Sequence, residues 1–334
     1  MKKIVIVLAL LFIVCGCQKS DDQIMEEMGY SADDIILIDD LNDDNKQIFM
    51  EEYQKDYLPF IRDENFKEEY FHEYLKYMND FSADFIIDKV NNHILNEENR
   101  NKIKELYSSE YFIEKNEELY LKYLNIYSDV REMIEIINTK RYLDLYTNIE
   151  ETDVSKDYLM LINKYYKLSE DYEPDDLVAV NEVPGRGYLR KEVYEAYKKL
   201  YEESVKEGYN LIVVSAYRPY SMQESLYNGY KASDPEGVDT YSARPGHSEH
   251  QSGLCLDVSV PGYSLDDFYK TEESVWLAEN CHRFGFIIRY PEDKVDITGY
   301  QGESWQLRYL GIEVSNDVYN RGITYDEYYA CFVE

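Results

Sequence analysis

The chain has 334 residues, which is enough for two domains that each bury a core. Hydrophobic residues make up 44% of the sequence, which excludes a disordered composition, and the formal net charge of -32 excludes the basic surface of a nucleic-acid-binding protein. Tyrosine is abundant, with 36 residues. Because a tyrosine packs its ring while its hydroxyl stays solvated, we expect most of these side chains to pack between helices.

The N-terminus has the order of features found in an export signal. Lys2 and Lys3 precede an apolar run over residues 4–14, which is shorter than a membrane-spanning helix. Cys15, Gly16 and Cys17 follow, and the sequence then becomes polar. This order resembles the processing site of bacterial lipoproteins, so we expect a mature protein that carries lipid on Cys17 and is anchored to the outer face of the cell membrane. An ordinary secretory signal is the alternative.

Residues 18–157 form an acidic, tyrosine-rich region that is predicted to be helical. Apolar residues recur there at three- and four-residue spacing, and proline and glycine are scarce. The sequence Tyr-Leu-Lys-Tyr occurs at residues 74–77 and again at 120–123, which indicates a weak repeat of helix pairs that stack on one another. Aromatic–serine pairs accompany the copies, with a candidate third pair upstream: Phe81-Ser82, Tyr127-Ser128 and Tyr30-Ser31.

Residues 158–334 have a different composition, with frequent glycine and proline and several strand-like runs. Helices and short strands are mixed there without a regular βαβ rhythm, which predicts an α+β fold after the mostly helical N-terminal region. The predicted elements are a helix over 189–207, a buried strand over 211–214, a helix over 274–284 and a strand over 286–289.

Polar residues cluster at two places in this second region. The first cluster follows the strand predicted at 211–214 and contains Arg218, whose guanidinium can hold a carboxylate or stabilise an oxyanion. The second runs over residues 244–257 and contains two of the five histidines. His250 and Asp257 in this cluster form an imidazole–carboxylate pair of the kind that binds zinc.

With a third cluster at 303–311, these motifs resemble the LAS metallopeptidases, in particular the D-Ala-D-Ala carboxypeptidases of the vancomycin-resistance type. The resemblance covers about residues 158–330 and implies a hedgehog/D-Ala-D-Ala-peptidase-like domain with a deep cleft on an antiparallel sheet. It also implies one zinc ion and, as substrate, a peptidoglycan stem peptide that ends in D-Ala-D-Ala. The matching residues are Asn181, Leu189-Arg190, Ser215 and Arg218, the stretch 245–250, Asp257, Trp276-Leu277, Gly285-Phe286, Arg289-Tyr290-Pro291, Arg308-Tyr309 and Gly311.

The resemblance implies a role for each site residue. His250 and Asp257 would be zinc ligands, and Glu303 would be the general base that takes a proton from zinc-bound water. Arg218 would face the scissile carbonyl or the terminal carboxylate of the substrate. We expect His247 to be a hydrogen-bonded loop residue. The remaining candidates for substrate binding are Ser215, Tyr217, Gln223, Ser248 and Trp305, the last of which has packing beneath the site as its alternative role.

The sequence departs from the family pattern at one position. The family has Glu-x-x-His, whose histidine is the third zinc ligand, whereas residues 303–306 read Glu-Ser-Trp-Gln and no histidine follows His282. Because the amide of Gln306 is a weaker zinc ligand than imidazole, three interpretations stay open. The chain is a carboxypeptidase with altered metal ligation, a pseudoenzyme that binds cell-wall peptides or a partner protein without cleaving, or a structural module with a vestigial cleft.

Cys255 is a candidate replacement for the missing ligand. It lies two residues before Asp257, so that in a strand the two side chains face the same way. A thiolate is a good zinc ligand, which would give a site of His250, Cys255 and Asp257. The alternative is that Cys255 is a small buried hydrophobic residue.

Overall fold

The structure is a computed structural model that describes residues 19–334. The predicted signal segment and Cys17 lie outside the described residues. The described chain divides into two compact units, residues 19–107 and Ser108–Glu334. The helical region predicted from the sequence ends at residue 157, whereas residues 108–157 pack with the C-terminal unit. None of the helices in residues 19–334 has the length and the hydropathy that crossing a lipid bilayer requires.

The first unit consists of short helices, several of which begin at a side-chain cap. Ser20 and Ser31 each form a capping box and Asn42 caps the third helix, so polar side chains satisfy free backbone N–H groups at these helix starts. The helices are α1 (Asp21–Met28), α2 (Ala32–Asp39), α3 (Asp43–Glu51), α4 (Leu58–Ile61), α5 (Phe71–Leu75), α6 (Ala83–Asn91) and α7 (Arg100–Ser108), the last of which ends at the boundary between the units.

The two copies of the sequence repeat adopt the same local structure. In the first copy the hydroxyl of Tyr74 donates to Asn91 Oδ1 and accepts from the backbone N–H of Lys67. Tyr30 differs, because its hydroxyl donates to the carbonyl of Phe49 and not to an asparagine. The repeat in the structure therefore consists of two copies that share one hydrogen-bond pattern. The second copy makes these bonds with Tyr120, Asn138 and Ile113.

The second unit mixes helices and strands, and all four elements predicted from its sequence are present. Those elements are α10 (Lys191–Lys206), β5 (Ile212–Ser215), α12 (Glu272–Asn280) with a 3₁₀ turn over Cys281–Phe284, and β7 (Phe286–Tyr290). The others are α8 (Glu117–Tyr123), α9 (Val130–Asn138), β1 (Glu150–Glu151), β2 (Tyr166–Lys167), β3 (Leu177–Ala179), β4 (Tyr188–Arg190), α11 (Tyr220–Ser233), β6 (Cys255–Ser259), α13 (Val295–Thr298), β8 (Glu303–Tyr309), α14 (Ile312–Arg321) and α15 (Tyr325–Phe332).

Four of the strands form an antiparallel sheet in the order β5-β6-β8-β7. Across the central pair, Leu256 of β6 lies opposite Leu307 of β8, and Asp257 lies opposite Gln306. Because side chains alternate between the two faces of a strand, these two pairs point to opposite faces of the sheet.

The core of the second unit lies between α10 and one face of this sheet. Leu256 and Leu307 are fully buried there, in one cluster with Val193, Tyr197 and Leu200 of α10. Burial of each such aliphatic side chain stabilises the fold by about 1.5–3 kcal/mol. The apolar residues of the strands thus fix which face carries the core, and Asp257 and Gln306 are left on the other face.

Candidate active site

Asp257 and His250 lie side by side on the face of the sheet that is turned away from the core. His250 belongs to a 3₁₀ turn over Glu249–Ser252 that leads into β6, and its Nε2 lies 3.3 Å from Asp257 Oδ2. Its Nδ1 lies 2.7 Å from the carbonyl oxygen of Ala216, which can only accept, so Nδ1 carries the proton. In a neutral imidazole, Nε2 then directs a lone pair towards the carboxylate of Asp257.

This pair fits a divalent cation. A lone pair and a carboxylate oxygen that face each other are stabilised by a positive charge between them. In addition, Asp257 Oδ1 is buried and has no hydrogen-bond partner within the described residues, although buried carboxylate oxygens are normally paired. His250 and Asp257 thus supply one nitrogen and one oxygen donor, both more than nine-tenths buried.

Gln306 stands at the position where the family resemblance implies a third zinc ligand. Gln306 lies directly opposite Asp257 across the β6–β8 pair and is 5% exposed. Its amide oxygen can take part in a metal site, but as a neutral donor it binds zinc more weakly than imidazole does.

Cys255 does not complete the site. It is fully buried, lies opposite Arg308 in the strand pairing, and burial raises the pKa of its thiol well above the usual value. Within residues 19–334, no three His, Cys, Asp or Glu side chains are grouped as a metal-binding set. The thiol therefore has the surroundings of a buried hydrophobic residue, and the alternative interpretation of Cys255 is the one that the structure supports.

Arg218 points to the same site and is held there by two side chains from the predicted set. Its Nη1 donates to Gln223 Oε1 at 2.7 Å and its Nη2 donates to Ser215 Oγ at 3.0 Å. The guanidinium lies 3.9 Å from Asp257 Oδ2. Gln223 is itself anchored, because its amide nitrogen donates to the carbonyl of Ala243 at 2.7 Å. Ser215 and Gln223 thus orient the arginine, a role that the sequence did not predict.

Glu303 begins β8 and lies opposite Tyr290. Burial raises the pKa of its carboxyl group well above the ordinary value; the carboxylate of Asp257 acts in the same direction, and the guanidinium of Arg218 opposes it. Glu303 is therefore close enough to both groups to share their electrostatic field. A carboxyl group with a raised pKa is suited to taking up and releasing a proton.

A cavity of about 990 Å³ opens beside Glu303 and runs along the edge strand β7. Trp305 lines this cavity and also packs against the hydrophobic core, so both roles considered for it agree with its position. The cavity lining does not include His250, Asp257 or Arg218. The cavity therefore reaches Glu303 but not the imidazole–carboxylate pair.

The remaining predicted residues surround the site without joining it. Ser248 is buried, and Tyr217 is half-buried with its backbone N–H bonded to the carbonyl of Tyr188 at 2.8 Å. His247 is buried against the carbonyl of Asn163, and burial lowers its pKa to about 4. His247 therefore has the surroundings expected of a structural loop histidine.

Sequence reasoning missed the buried ion network behind His250. Glu249 Oε1 accepts from Arg289 Nε and from Arg308 Nη1, both at 2.7 Å, and all three side chains are fully buried. Arg289 also donates to Asp326 of α15 at 2.6 Å. The network ties the turn that carries His250 to β7, β8 and the last helix. All of these residues except Asp326 stand in the motifs that match the family, but the sequence contains no signal that links them to one another.

Comparison with known proteins gives consistent matches. The family described as VanY, D-alanyl-D-alanine carboxypeptidase, matches residues 186–312. The protein YodJ of Bacillus subtilis (strain 168) is 37% identical over 191 residues, which are 54% of this chain and 70% of YodJ. VanXYC of Enterococcus gallinarum, a bifunctional D-Ala-D-Ala dipeptidase and carboxypeptidase, is 32% identical over 177 residues, which are 51% of this chain and 93% of VanXYC.

A solved structure also resembles the chain. It is the structure of the LD-carboxypeptidase LdcB, which was reported to reveal the molecular basis of peptidoglycan recognition. It is 36% identical, with a TM-score of 0.52, and the match covers 55% of this chain and 90% of LdcB. The residues matched by the family, 186–312, include the candidate site.

Proposed function

Because the chain belongs to the D-alanyl-D-alanine carboxypeptidase family, we propose that its second unit hydrolyses the last peptide bond of peptidoglycan stem peptides that end in D-Ala-D-Ala. The observation that carries the proposal is the grouping of His250, Asp257 and Arg218, with Glu303 near enough for the charges of Asp257 and Arg218 to act on its carboxyl group. A pair that fits a cation, a guanidinium and a carboxyl group of raised pKa are the components that metal-assisted peptide hydrolysis needs.

Each side chain has a separate task in this proposal. Arg218 holds the terminal carboxylate of the peptide, for which the guanidinium offers charge-assisted hydrogen bonds and Ser215 and Gln223 provide a fixed orientation. Glu303 takes a proton from the attacking water and gives it to the leaving amino group, because its raised pKa lets it hold the proton between the two steps.

The cation of the proposed site would be held by His250, Asp257 and the amide oxygen of Gln306. When bound, it supplies an acidified water and polarises the scissile carbonyl. Zinc is the ion that the family resemblance implies. Position 306 carries an amide where the family has an imidazole. Because an amide is the weaker zinc ligand, we expect this site to bind zinc only at raised zinc concentrations.

Gln306 also favours a second candidate function, which is the binding of stem peptides without cleavage. Loss of the second imidazole, which is the third ligand of the family pattern, weakens the metal site, whereas Arg218 and its two partners keep the geometry needed to bind a carboxylate. This pseudoenzyme function would leave the peptide intact.

One experiment separates the two functions. The purified protein is incubated with a stem pentapeptide ending in D-Ala-D-Ala, with and without added Zn²⁺, while D-Ala release is measured; peptide binding is measured by calorimetry. We expect D-Ala release that rises with added zinc and is lost in a Glu303→Gln control. Binding without any release would favour the pseudoenzyme. Absence of both binding and release would contradict both functions.

A further inference from the structure

Two buried contacts hold the segment over residues 247–252, which contains the candidate metal-binding histidine. The first contact is the bond from Arg289 Nε to Glu249 Oε1 at 2.7 Å. The second joins His247 Nδ1 to the carbonyl oxygen of Asn163, also at 2.7 Å. Because a carbonyl oxygen can only accept, His247 Nδ1 donates in this contact. The segment is thus held at its first residue and again two residues further on.

Both contacts lead to one side chain of the last helix, α15. Asp326 Oδ2 accepts from Arg289 Nη1 at 2.6 Å, and Asp326 Oδ1 accepts from Asn163 Nδ2 at 2.8 Å. The two oxygens of one carboxylate therefore bind the two residues that hold the segment. Asp326 is 3% exposed and Arg289 is fully buried, and hydrogen bonds to a charged group are strong in such surroundings.

Glu249 has no substitute for its contacts with arginine. Its Oε1 accepts from Arg289 and Arg308, whereas its buried Oε2 has no hydrogen-bond partner within the described part of the chain. The position of Glu249 therefore depends on the two guanidinium groups. His250 is the next residue of the same 3₁₀ turn, and consecutive Cα atoms lie about 3.8 Å apart, so a shift of Glu249 is passed on to His250.

The imidazole of His250 tolerates little displacement. Its Nε2 lies 3.3 Å from Asp257 Oδ2, and its Nδ1 lies 2.7 Å from the carbonyl oxygen of Ala216. A metal site needs its ligands within about 0.5 Å of the productive geometry, which is reached only when surrounding side chains hold the ligands in place. The contacts that fix the turn therefore bear directly on metal binding.

The helix that carries Asp326 is itself firmly placed in the second unit. A capping box between Thr324 and Glu327 closes its first turn. The side chain of Tyr325 is fully buried, and its hydroxyl donates to the carbonyl of Leu159 at 2.5 Å. The helix thus gives the carboxylate of Asp326 a fixed base.

We propose that Asp326 is a positioning residue of the candidate site, which keeps His250 in place for metal binding by holding Arg289 and Asn163 together. This role rests on the proposed function, because the metal belongs to it. Asp326 and Asn163 both lie outside residues 186–312, so the family match does not include the pair.

Asp326→Asn tests this role with little change in shape. An amide offers one acceptor oxygen to two donors, Arg289 Nη1 and Asn163 Nδ2, so at least one of the two bonds is lost however the amide is turned. The double variant Asn163→Asp with Asp326→Asn is the rescue. It keeps the net charge and gives each donor an acceptor again, because the new amide can accept from Arg289 and donate to the new carboxylate.

The ring N–H groups of two histidines report on the segment in the metal-free protein. NMR of protein with isotope-labelled histidine measures their Hδ1 signals, which are assigned by their loss in His247→Gln and in His250→Gln. We expect at least one of the two signals to shift or to be lost to exchange with water in Asp326→Asn, and to return in the double variant. A chemical shift is a property of the folded molecules, so a loss of stability alone does not move it.

Zinc affinity is the second measurement. We expect Asp326→Asn to bind Zn²⁺ about tenfold more weakly than the wild type, because loss of a partner behind a metal ligand typically weakens metal binding about 10–100-fold. The double variant should regain most of this affinity. Calorimetry measures the binding at a temperature at which circular dichroism shows each variant to be folded.

Glu327→Gln is the matched control. Glu327 is the next residue of α15 and is also 3% exposed, but its carboxylate accepts from the backbone N–H of Thr324 and pairs with Lys294 at 3.6 Å. Glutamine can keep the capping box, so both ring signals and the zinc affinity should stay as in the wild type.

Three results would overturn the role of Asp326. They are unchanged ring signals in Asp326→Asn, equal changes in Glu327→Gln, and a double variant that restores neither the signals nor the zinc affinity. If the wild type binds no zinc but the ring signals respond as expected, the proposed metal site fails, whereas the role of Asp326 in placing the histidine is supported.

Discussion

At the scale of single residues, we propose that Gln306 limits how strongly the site holds a metal. The position lies directly opposite Asp257, so a histidine there adds its nitrogen to a pair that already offers one nitrogen and one oxygen. We expect Gln306→His to raise the zinc bound per purified chain and the rate of D-Ala release together, because imidazole is a stronger zinc ligand than an amide. Zinc is measured by mass spectrometry of the dialysed protein.

The control for this variant is Gln306→Asn, which keeps the amide and should keep the low zinc content. If Gln306→His folds and its zinc content does not change, then position 306 is not the reason for a weak metal site.

Arg218 gives a second residue-scale prediction, which concerns binding and not folding. Its side chain is 16% exposed and its guanidinium is held by Ser215 and Gln223 at the site, so its removal leaves the core intact. We expect Arg218→Ala to weaken stem-peptide binding about tenfold or more, since a hydrogen bond to a charged group contributes about 1.5–3 kcal/mol. Calorimetry measures the affinity, and the melting temperature should change little.

Arg218→Lys is the matched variant. It keeps the charge but loses the forked geometry, so we expect an affinity between those of the wild type and Arg218→Ala. A large loss of melting temperature with unchanged peptide affinity would assign Arg218 to the fold.

At the scale of elements, the second unit is held together by buried polar contacts as well as by its core. Arg308 donates to Glu249 in the turn before β6 and to the carbonyl oxygens of Tyr158 and Met160, at 2.8 and 2.7 Å. One side chain of β8 thus fixes both the turn that carries His250 and a segment about 150 residues away. Breaking such a buried pair leaves an unpaired charge, which destabilises a fold by about 3–5 kcal/mol.

Lys164 lies in the segment before β2 and contacts the loop that contains Asp239. It makes the free energy of unfolding depend on pH. It is 1% exposed, donates to the carbonyl of Asp239 and lies 3.5 Å from the centroid of the Tyr300 ring. Burial lowers its pKa to about 7, with the charges of Arg141 and Arg244 acting in the same direction and Asp239 opposing. Between this value and the ordinary value of 10.5, the unfolded chain binds a proton that the folded chain does not.

Lys164 therefore makes the free energy of unfolding rise with pH from about 7 towards 10, by up to about 1.4 kcal/mol per pH unit. We expect Lys164→Met to remove this rise, whereas Lys199→Met on the exposed face of α10 should keep it. Urea unfolding at pH 7 and pH 9, monitored by tryptophan fluorescence, measures the effect. The fluorescence reports on the second unit because both tryptophans of the chain, Trp276 and Trp305, lie there. An identical pH dependence in the wild type and Lys164→Met would contradict the assignment.

At the scale of the whole molecule, we propose that the protein is exported and anchored to the outer face of the membrane by lipid on Cys17. The support is the order of basic, apolar and small residues before this cysteine, and the family's substrate class, peptidoglycan, is extracytoplasmic. Cells grown with a labelled fatty-acid analogue should label the wild-type protein and leave Cys17→Ala unlabelled. Label on Cys17→Ala would refute the anchor, and an unlabelled wild type released from cells would indicate an ordinary secretory signal.

The sequence by itself determined the features that depend on residues close together along the chain, namely single strands, single helices and short motifs. Short apolar runs predicted β5 and β7, the helical period predicted α10, and the order of residues within 244–257 singled out the pair of His250 and Asp257. Each of these signals is short-ranged, because the period of a helix or strand and the order of a motif are local properties. The family resemblance rested on such motifs and is confirmed by the comparisons.

Only the tertiary structure decided which distant residues meet. The proximity of Glu249 to Arg289 and Arg308, 40 and 59 residues further along the chain, follows from the packing of the sheet. The sequence put Cys255 and Asp257 on one side of β6, and the structure shows that the thiol is fully buried and that, among residues 19–334, it belongs to no group of three His, Cys, Asp or Glu side chains that could hold a metal. The tertiary structure also decided that residues 108–157 belong to the second unit. Burial and long-range contact depend on how all elements pack at once, and no local pattern in the sequence encodes that packing.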